Sequence, residues 1–149
     1  MTKLPILPMV ATLMLTPWCA RSDPVSPAIQ QRSVVKVTDF GVKPNIGADA
    51  TFGVFRALEA CRAAENPVLI FPRGTYQFYP DEARARYYSI ANNWHKMQRV
   101  ALPLWNFEGI TIDGPGSDFI MHGTILPVAM DGATNVTIKN FSIDWQRRR

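Results

Sequence analysis

The chain has 149 residues, a formal net charge of +4, and 47% hydrophobic against 19% charged residues. That is the composition of one globular domain rather than of a disordered chain, and the length fits one domain and not two. Its one basic cluster, Arg147-Arg148-Arg149, has no interleaved aromatics and gives no support to a nucleic-acid interface.

Residues Leu4 to Trp18 are apolar apart from Thr12 and Thr16, and follow Lys3 in an N-terminus without acids. This layout predicts a secretory signal over residues 1–20, and with it an exported protein: periplasmic, cell-surface or secreted. The run is short and interrupted by Pro5, Pro8 and Pro17, so a membrane span is not expected. Cys19 stands where a bacterial lipoprotein carries its acylated cysteine, and a lipid anchor there is the alternative. Against it, Trp18 is bulky where a signal peptidase needs a small residue. Once such a leader is removed Cys61 is the remaining thiol, so no intramolecular disulfide is expected.

Residues 21–33 read as a Pro/Ser/Gln-rich linker, and folded structure is expected from Val34-Val35-Lys36-Val37 onward. Turn chemistry at Asp39-Phe40-Gly41 and Gly47 to Thr51 precedes a helix running to about Ala64, with Thr51 as its N-cap. Val54, Phe55, Leu58 and Cys61 give it one apolar stripe, which places Cys61 in a core. A buried strand, Val68-Leu69-Ile70-Phe71, ends at Pro72-Arg73-Gly74. Tyr76, Phe78, Tyr79, Tyr87 and Tyr88 make the next segment aromatic and polar at once, and it reads as a long excursion rather than a regular strand.

From Val100 the chain becomes a series of short β-rich runs: Val100 to Leu104, Ile110 to Asp113, Asp118 to Met121, Ile125 to Met130, Val136 to Lys139 and Phe141 to Trp145. Gly109-Ile110-Thr111-Ile112 reappears as Asn135-Val136-Thr137-Ile138 at a spacing of 26 residues. That period fits one coil of a three-faced parallel β-helix, an all-β fold. Each coil gains hydrogen-bond partners by stacking on its neighbours, so the helix is expected to cap the N-terminal edge. After Arg149 the stack would need further coils or another molecule, and self-association through the open coil edge is the corresponding expectation.

Asp39-Phe40-Gly41-Val42, the Gly47 to Thr51 turn, the helix and Phe71-Pro72-Arg73-Gly74-Thr75-Tyr76 together resemble the N-terminal cap of the pectate-lyase-like superfamily of right-handed parallel β-helices. A closer resemblance is carried by Phe78-Tyr79-Pro80-Asp81, Ile90-Ala91-Asn92-Asn93, Ala101 to Leu104, Ile110 to Gly114, Phe119 to Gly123, and Asn135 to Trp145. These runs are similar to the bacterial α-1,3-galactosidases, which remove terminal galactose from blood-group-B-type and linear α-galactosyl glycans. The resemblance extends from Val35 to Trp145. It implies an inverting glycoside hydrolase without a cofactor, with carbohydrate as its partner and catalytic aspartates on later coils, beyond Arg149. The chain departs from the family at Trp94-His95, where an acidic residue usually follows Asn92-Asn93. By itself the chain is expected to be inactive. A polygalacturonase or lyase on the same scaffold, and a non-catalytic glycan-binding or tailspike-like module, are the alternatives.

Of the residues present, Asn92, Asn93 and His95 in the aromatic excursion are the candidate substrate contacts. Asp113-Gly114-Pro115-Gly116 is a turn signal, and the 26-residue offset sets Lys139 over Asp113, which predicts a stacked ion pair rather than an acid catalyst. Asp144 beside Trp145 reads as a turn residue, with a sugar subsite as the alternative. His122 is expected at a coil corner. His95 and His122 have no Cys or carboxylate at ligand spacing, so no metal is expected. Asn135 and Asn140 fit the glycosylation sequon, and both also suit coil corners.

Overall fold

The computed structural model describes residues 32–91 and 94–146, and for residues 90, 91, 94 and 95 the backbone alone. The leader, Cys19, Asn92, Asn93 and the terminal arginines lie outside these residues. Within them the chain forms β1 (Val34–Lys36), a 3-10 turn (Val37–Phe40), α1 (Thr51–Arg62), β2 (Val68–Ile70), β3 (Thr75–Phe78), β4 (Arg84–Ala91), β5 (Trp94–Trp105), β6 (Thr111–Met121), β7 (Leu126–Asp131) and β8 (Thr137–Trp145). It is an all-β arrangement with one α-helix among the described residues.

Successive layers of chain pair in parallel. β1 pairs with β2, the first half of β6 with β2, and its second half with β3. β8 then pairs along both halves of β6, and β5 pairs with β7 on a second sheet. The 26-residue offset holds between Thr111 and Thr137, Ile112 and Ile138, and Asp113 and Lys139. Beyond a corner the register changes, and Ser117 pairs with Phe141. The cause is the corner itself: Gly114-Pro115-Gly116 takes three residues where the next layer uses Asn140 alone. Because the difference is two residues, each side chain keeps its face through the shift.

The corners explain the asparagines. Asn66, Gly109 and Asn135 occupy one corner in three layers, each with positive φ (46°, 74° and 53°), and Asn106 and Gly132 share another (52° and 62°). Glycine and asparagine are the residues that visit this left-handed backbone at least cost. Asn135 and Asn140 (φ 68°) are thus corner residues, as expected from the sequence.

Strand alternation puts Leu69, Tyr76, Phe78, Leu102, Leu104, Ile112, Phe119 and Met121 between the sheets, all at or near zero exposure. Each such side chain contributes roughly 1.5–3 kcal/mol by burial. Phe119 is central, with ring centroids 4.7 Å from Phe71, 5.2 Å from Phe78 and 4.3 Å from Phe141. Tyr76 also turns inward, and its hydroxyl donates to the Pro72 carbonyl at 2.6 Å. The inward face of β8 is more open, with Ile138, Ile143 and Trp145 at 36%, 38% and 48% exposure.

α1 lies over this core through Val54, Ala57, Leu58 and Cys61, with Phe55 half-buried at the margin. Thr51 is not the N-cap. It is the first helical residue, its N–H is held at 2.8 Å by the Asp49 carboxylate, and its hydroxyl donates to the Tyr79 carbonyl at 3.2 Å. The N-cap position is Ala50, and Asp49 before it also pairs with Gln77 in an isolated parallel bridge, so one residue both holds the first helical N–H and joins the helix to the next layer.

The aromatic segment is the larger correction. It contains a regular strand, β3, and then a β-hairpin in which β4 runs antiparallel to the first half of β5, from Arg84 opposite Val100 to Ala91 opposite Trp94. From Ala85 to Ser89 burial alternates against hydrophobicity, with Arg86 and Tyr88 half-buried and Ala85 and Tyr87 exposed, so the sequence pattern does not announce a strand with an apolar core face. The hairpin's side chains are seated instead on neighbouring elements. The Arg84 guanidinium covers Phe55 at 3.8 Å and Arg86 pairs with Asp131 at 2.6 Å.

Candidate functional site

Two outward faces carry the polar side chains that the layers bring together. On the β3-β6-β8 face, Asp118 accepts a hydrogen bond from the Ser142 hydroxyl one layer on, and Asp144 stands opposite Ile120. His122, just past β6, stacks on Tyr79 with centroids 4.0 Å apart and planes 9° apart, and its Nε2 donates to Gln77 at 2.6 Å. Beside them His122, Gly123, Thr124, Trp145 and Gln146 line an open depression of about 430 Å³. His122 therefore sits at a corner, as expected. Asp144 is not in a turn: it lies within β8, and its carboxylate accepts the N–H of Trp145 at 2.8 Å.

At the corner between the two halves of β6, Asp113 is the last residue paired with β2 and is a strand residue, not a turn residue. The turn begins one residue later because Gly114-Pro115-Gly116 supplies it. Asp113 receives the Asn140 amide at 2.7 Å and the Lys139 ammonium at 3.2 Å. The Asn140 hydrogen bond first, and Lys139 with it, outweigh partial desolvation and hold the carboxyl below its ordinary value. The predicted stacked pair is thus present, and it favours an ionised carboxylate, the opposite of what a general acid requires.

The second face is that of β5 and β7, over which the hairpin folds. Trp105 at the end of β5 donates its indole N–H to the Tyr88 hydroxyl, and Arg86 lies over its ring at 5.1 Å while paired with Asp131 at the end of β7. Two cations, three aromatic rings and a carboxylate from four elements, α1 included, lie along this surface. Among the described residues no group of three or more His, Cys, Asp or Glu could hold a metal ion.

Over 121 residues, 81% of its length, the chain is 40% identical to a protein of Shewanella woodyi named alpha-1,3-galactosidase A. It is 36% identical over 120 residues to alpha-1,3-galactosidase B of Bacteroides thetaiotaomicron, and 37% identical over 112 residues to the protein of that name from Parabacteroides distasonis. The chain is a relative of the bacterial α-1,3-galactosidases. It spans 20%, 20% and 18% of the length of these three proteins. No family model matches the chain.

Asn92 and Asn93 lie outside the described residues. His95 is placed by its backbone in β5, opposite Ser89, and its side chain lies outside the description. What sequence reasoning missed is the cluster at the hairpin's seat: Arg86, Tyr88, Trp105 and Asp131. Trp105 and Asp131 end strands one layer apart at the 26-residue offset, which the repeat could have paired. Arg86 reaches them through a fold-back that no local pattern announces.

Proposed function

We propose that this chain forms the first layers of a right-handed parallel β-helix in an exported, inverting glycoside hydrolase that releases terminal α-1,3-linked galactose. The observation that carries the reading is the similarity, over four fifths of the chain, to several proteins named alpha-1,3-galactosidase. The parallel layers at a 26-residue offset are the arrangement such a helix needs. Inversion requires two carboxyl groups roughly 6.5–9.5 Å apart, one a raised-pKa acid and one an ionised base. Asp113 is held by Asn140 and Lys139, and Asp118 and Asp144 lie exposed on an outer face, so the catalytic pair is assigned to later layers of the whole protein. In this division the described residues supply the cap, the hairpin and the template on which those layers stack.

The test is an assay of galactose release from galactosyl-α-1,3-galactose, with the anomer first released read by NMR. The chain alone is expected to give background rates, and a polypeptide extended to the length of its relatives is expected to release galactose with inverted configuration. Turnover by the 149 residues alone would refute the assignment of the catalytic pair, and retention in the longer protein would refute inversion.

A further inference from the structure

We propose that Arg86, Trp105, Tyr88 and Asp131 form a contact site for a neutral saccharide at the seat of the β4–β5 hairpin. The proposal rests on the carbohydrate-active reading above and adds a site that lies within these 149 residues.

The argument starts from the hydrogen-bonding capacity of the cluster. A carboxylate can accept about four hydrogen bonds and a guanidinium can donate five. Asp131 and Arg86 use part of that capacity on each other, through one contact at 2.6 Å, and both side chains remain open, at 47% and 41% exposure. The Tyr88 hydroxyl accepts the indole N–H of Trp105, which leaves its own proton to give. Surplus donors and surplus acceptors thus stand side by side. That is the complement of a polyol, in which every hydroxyl both donates and accepts.

The apolar component is Trp105. The preceding residues of β5 from Val100 to Leu104 are buried on both faces, whereas Trp105 emerges half-buried where the strand ends. Arg86 lies 5.1 Å from its ring centroid, farther than Arg84 from Phe55 (3.8 Å) or Arg62 from Phe107 (4.1 Å), and Trp105 stays partly open to solvent. A sugar presents carbon-bound hydrogens on a face of its ring, and an indole beside polar groups is suited to receive them.

Charge narrows the ligand class. Asp131 sets a negative charge beside the positive one, so the cluster does not favour an anionic ligand as a pair of arginines would. Stability alone is a weak reason for the cluster, since an exposed ion pair of this kind adds little to folding.

The experiment uses the 149-residue chain labelled with 15N and follows the indole N–H signal of Trp105, identified by its loss in Trp105→Phe. The probes are methyl α-galactoside, galactosyl-α-1,3-galactose, methyl α-glucoside and galacturonate. The neutral galactosyl sugars are expected to move the Trp105 signal saturably, with at least tenfold weaker response in Asp131→Asn and in Arg86→Met. Overlay of the remaining amide signals checks that the variants are folded, and Tyr88→Phe gives a second, milder test of the same contact. Galacturonate is expected to leave the signal in place. Equal response to glucoside and galactoside would support the saccharide site while removing its support for galactose specificity. A Trp105 signal unmoved by every neutral sugar, or moved equally in both charge variants, would overturn the site even if the longer protein releases galactose.

Discussion

Asn106 and Gly132 occupy the same corner of two successive layers, and the Asn106 side-chain oxygen stands 2.5 Å from where a β-carbon on Gly132 would be. Both residues are left-handed, and the Asn106 N–H bonds to the Asp131 carbonyl at 2.8 Å. Gly132→Ala must therefore bear the left-handed backbone and displace the asparagine, and is expected to cost about 1–3 kcal/mol. Gly109→Asn is the contrasting variant. Its corner already holds asparagine in the layers on either side, and its nearest neighbour atom is 3.4 Å away, so a change within about 0.5 kcal/mol is expected. Urea unfolding of both variants checks the pair.

Phe119 joins the aromatic residues of three layers, and its removal leaves a cavity that neighbouring strands cannot close without breaking register. Phe119→Ala is expected to destabilise the chain by about 3–5 kcal/mol, measured by denaturant midpoint, with Phe119→Leu costing less.

Asp113 gives the acid limb a specific contributor. Its carboxyl is held below the ordinary value of 3.8. The stabilisation is therefore fully present above that value and is lost as pH falls through the lower folded value. Asn140→Gly keeps the corner backbone but removes the amide donor, and Asp113→Asn removes the charge. Each is expected to reduce stability at pH 6, with the mutant and parent curves converging as pH falls through the lowered folded value, as followed by urea unfolding at each pH.

Cys61 has the opposite sign. Burial against the core pushes its thiol up to about 11 from an ordinary 9.0. The unfolded chain then releases a proton between these values that the folded chain keeps, so stability falls as pH rises from 9 to 11. Cys61→Ala is expected to flatten that alkaline slope. A thiol reagent at neutral pH is expected to label Cys61 only after denaturant is added.

Much of the layering was legible because it is written in local chemistry. Ile112 and Ile138, and Asp113 and Lys139, fall in register because a strand repeats its faces every two residues and the corners are marked by glycine and asparagine. The β4–β5 hairpin was not legible, because its seated face carries Arg86 and Tyr88 while Tyr87 and Met97 stand exposed, so hydrophobicity does not mark which face is covered. The start of α1 was misplaced for another reason. Thr51 has the right chemistry for an N-cap, but the cap position falls to Ala50, and the Thr51 hydroxyl bonds instead to the carbonyl of Tyr79, 28 residues on, while Asp49 takes the Thr51 N–H. At the candidate site the same split holds: Trp105 and Asp131 follow from the repeat, and Arg86 follows only from the tertiary fold-back.

The hairpin also sets a clock. Among the described residues β4 with β5 is the one antiparallel pairing, closed by a short connection, while every parallel pair must join residues far apart in sequence. Local hairpins form in about 1–10 μs, and long-range parallel pairing is much slower. During synthesis at roughly 5–20 residues per second, a layer of this length takes about one to five seconds to emerge. Each new layer then meets a predecessor that has had time to order, and β2 can template the first half of β6 before β8 exists. A polypeptide ending at Ile125 and released from the ribosome is expected to keep the α1 to β6 region protected from a protease. Parallel layers offer no local starting point of their own, so each is expected to order on the one before it, from β2 through β6 to β8.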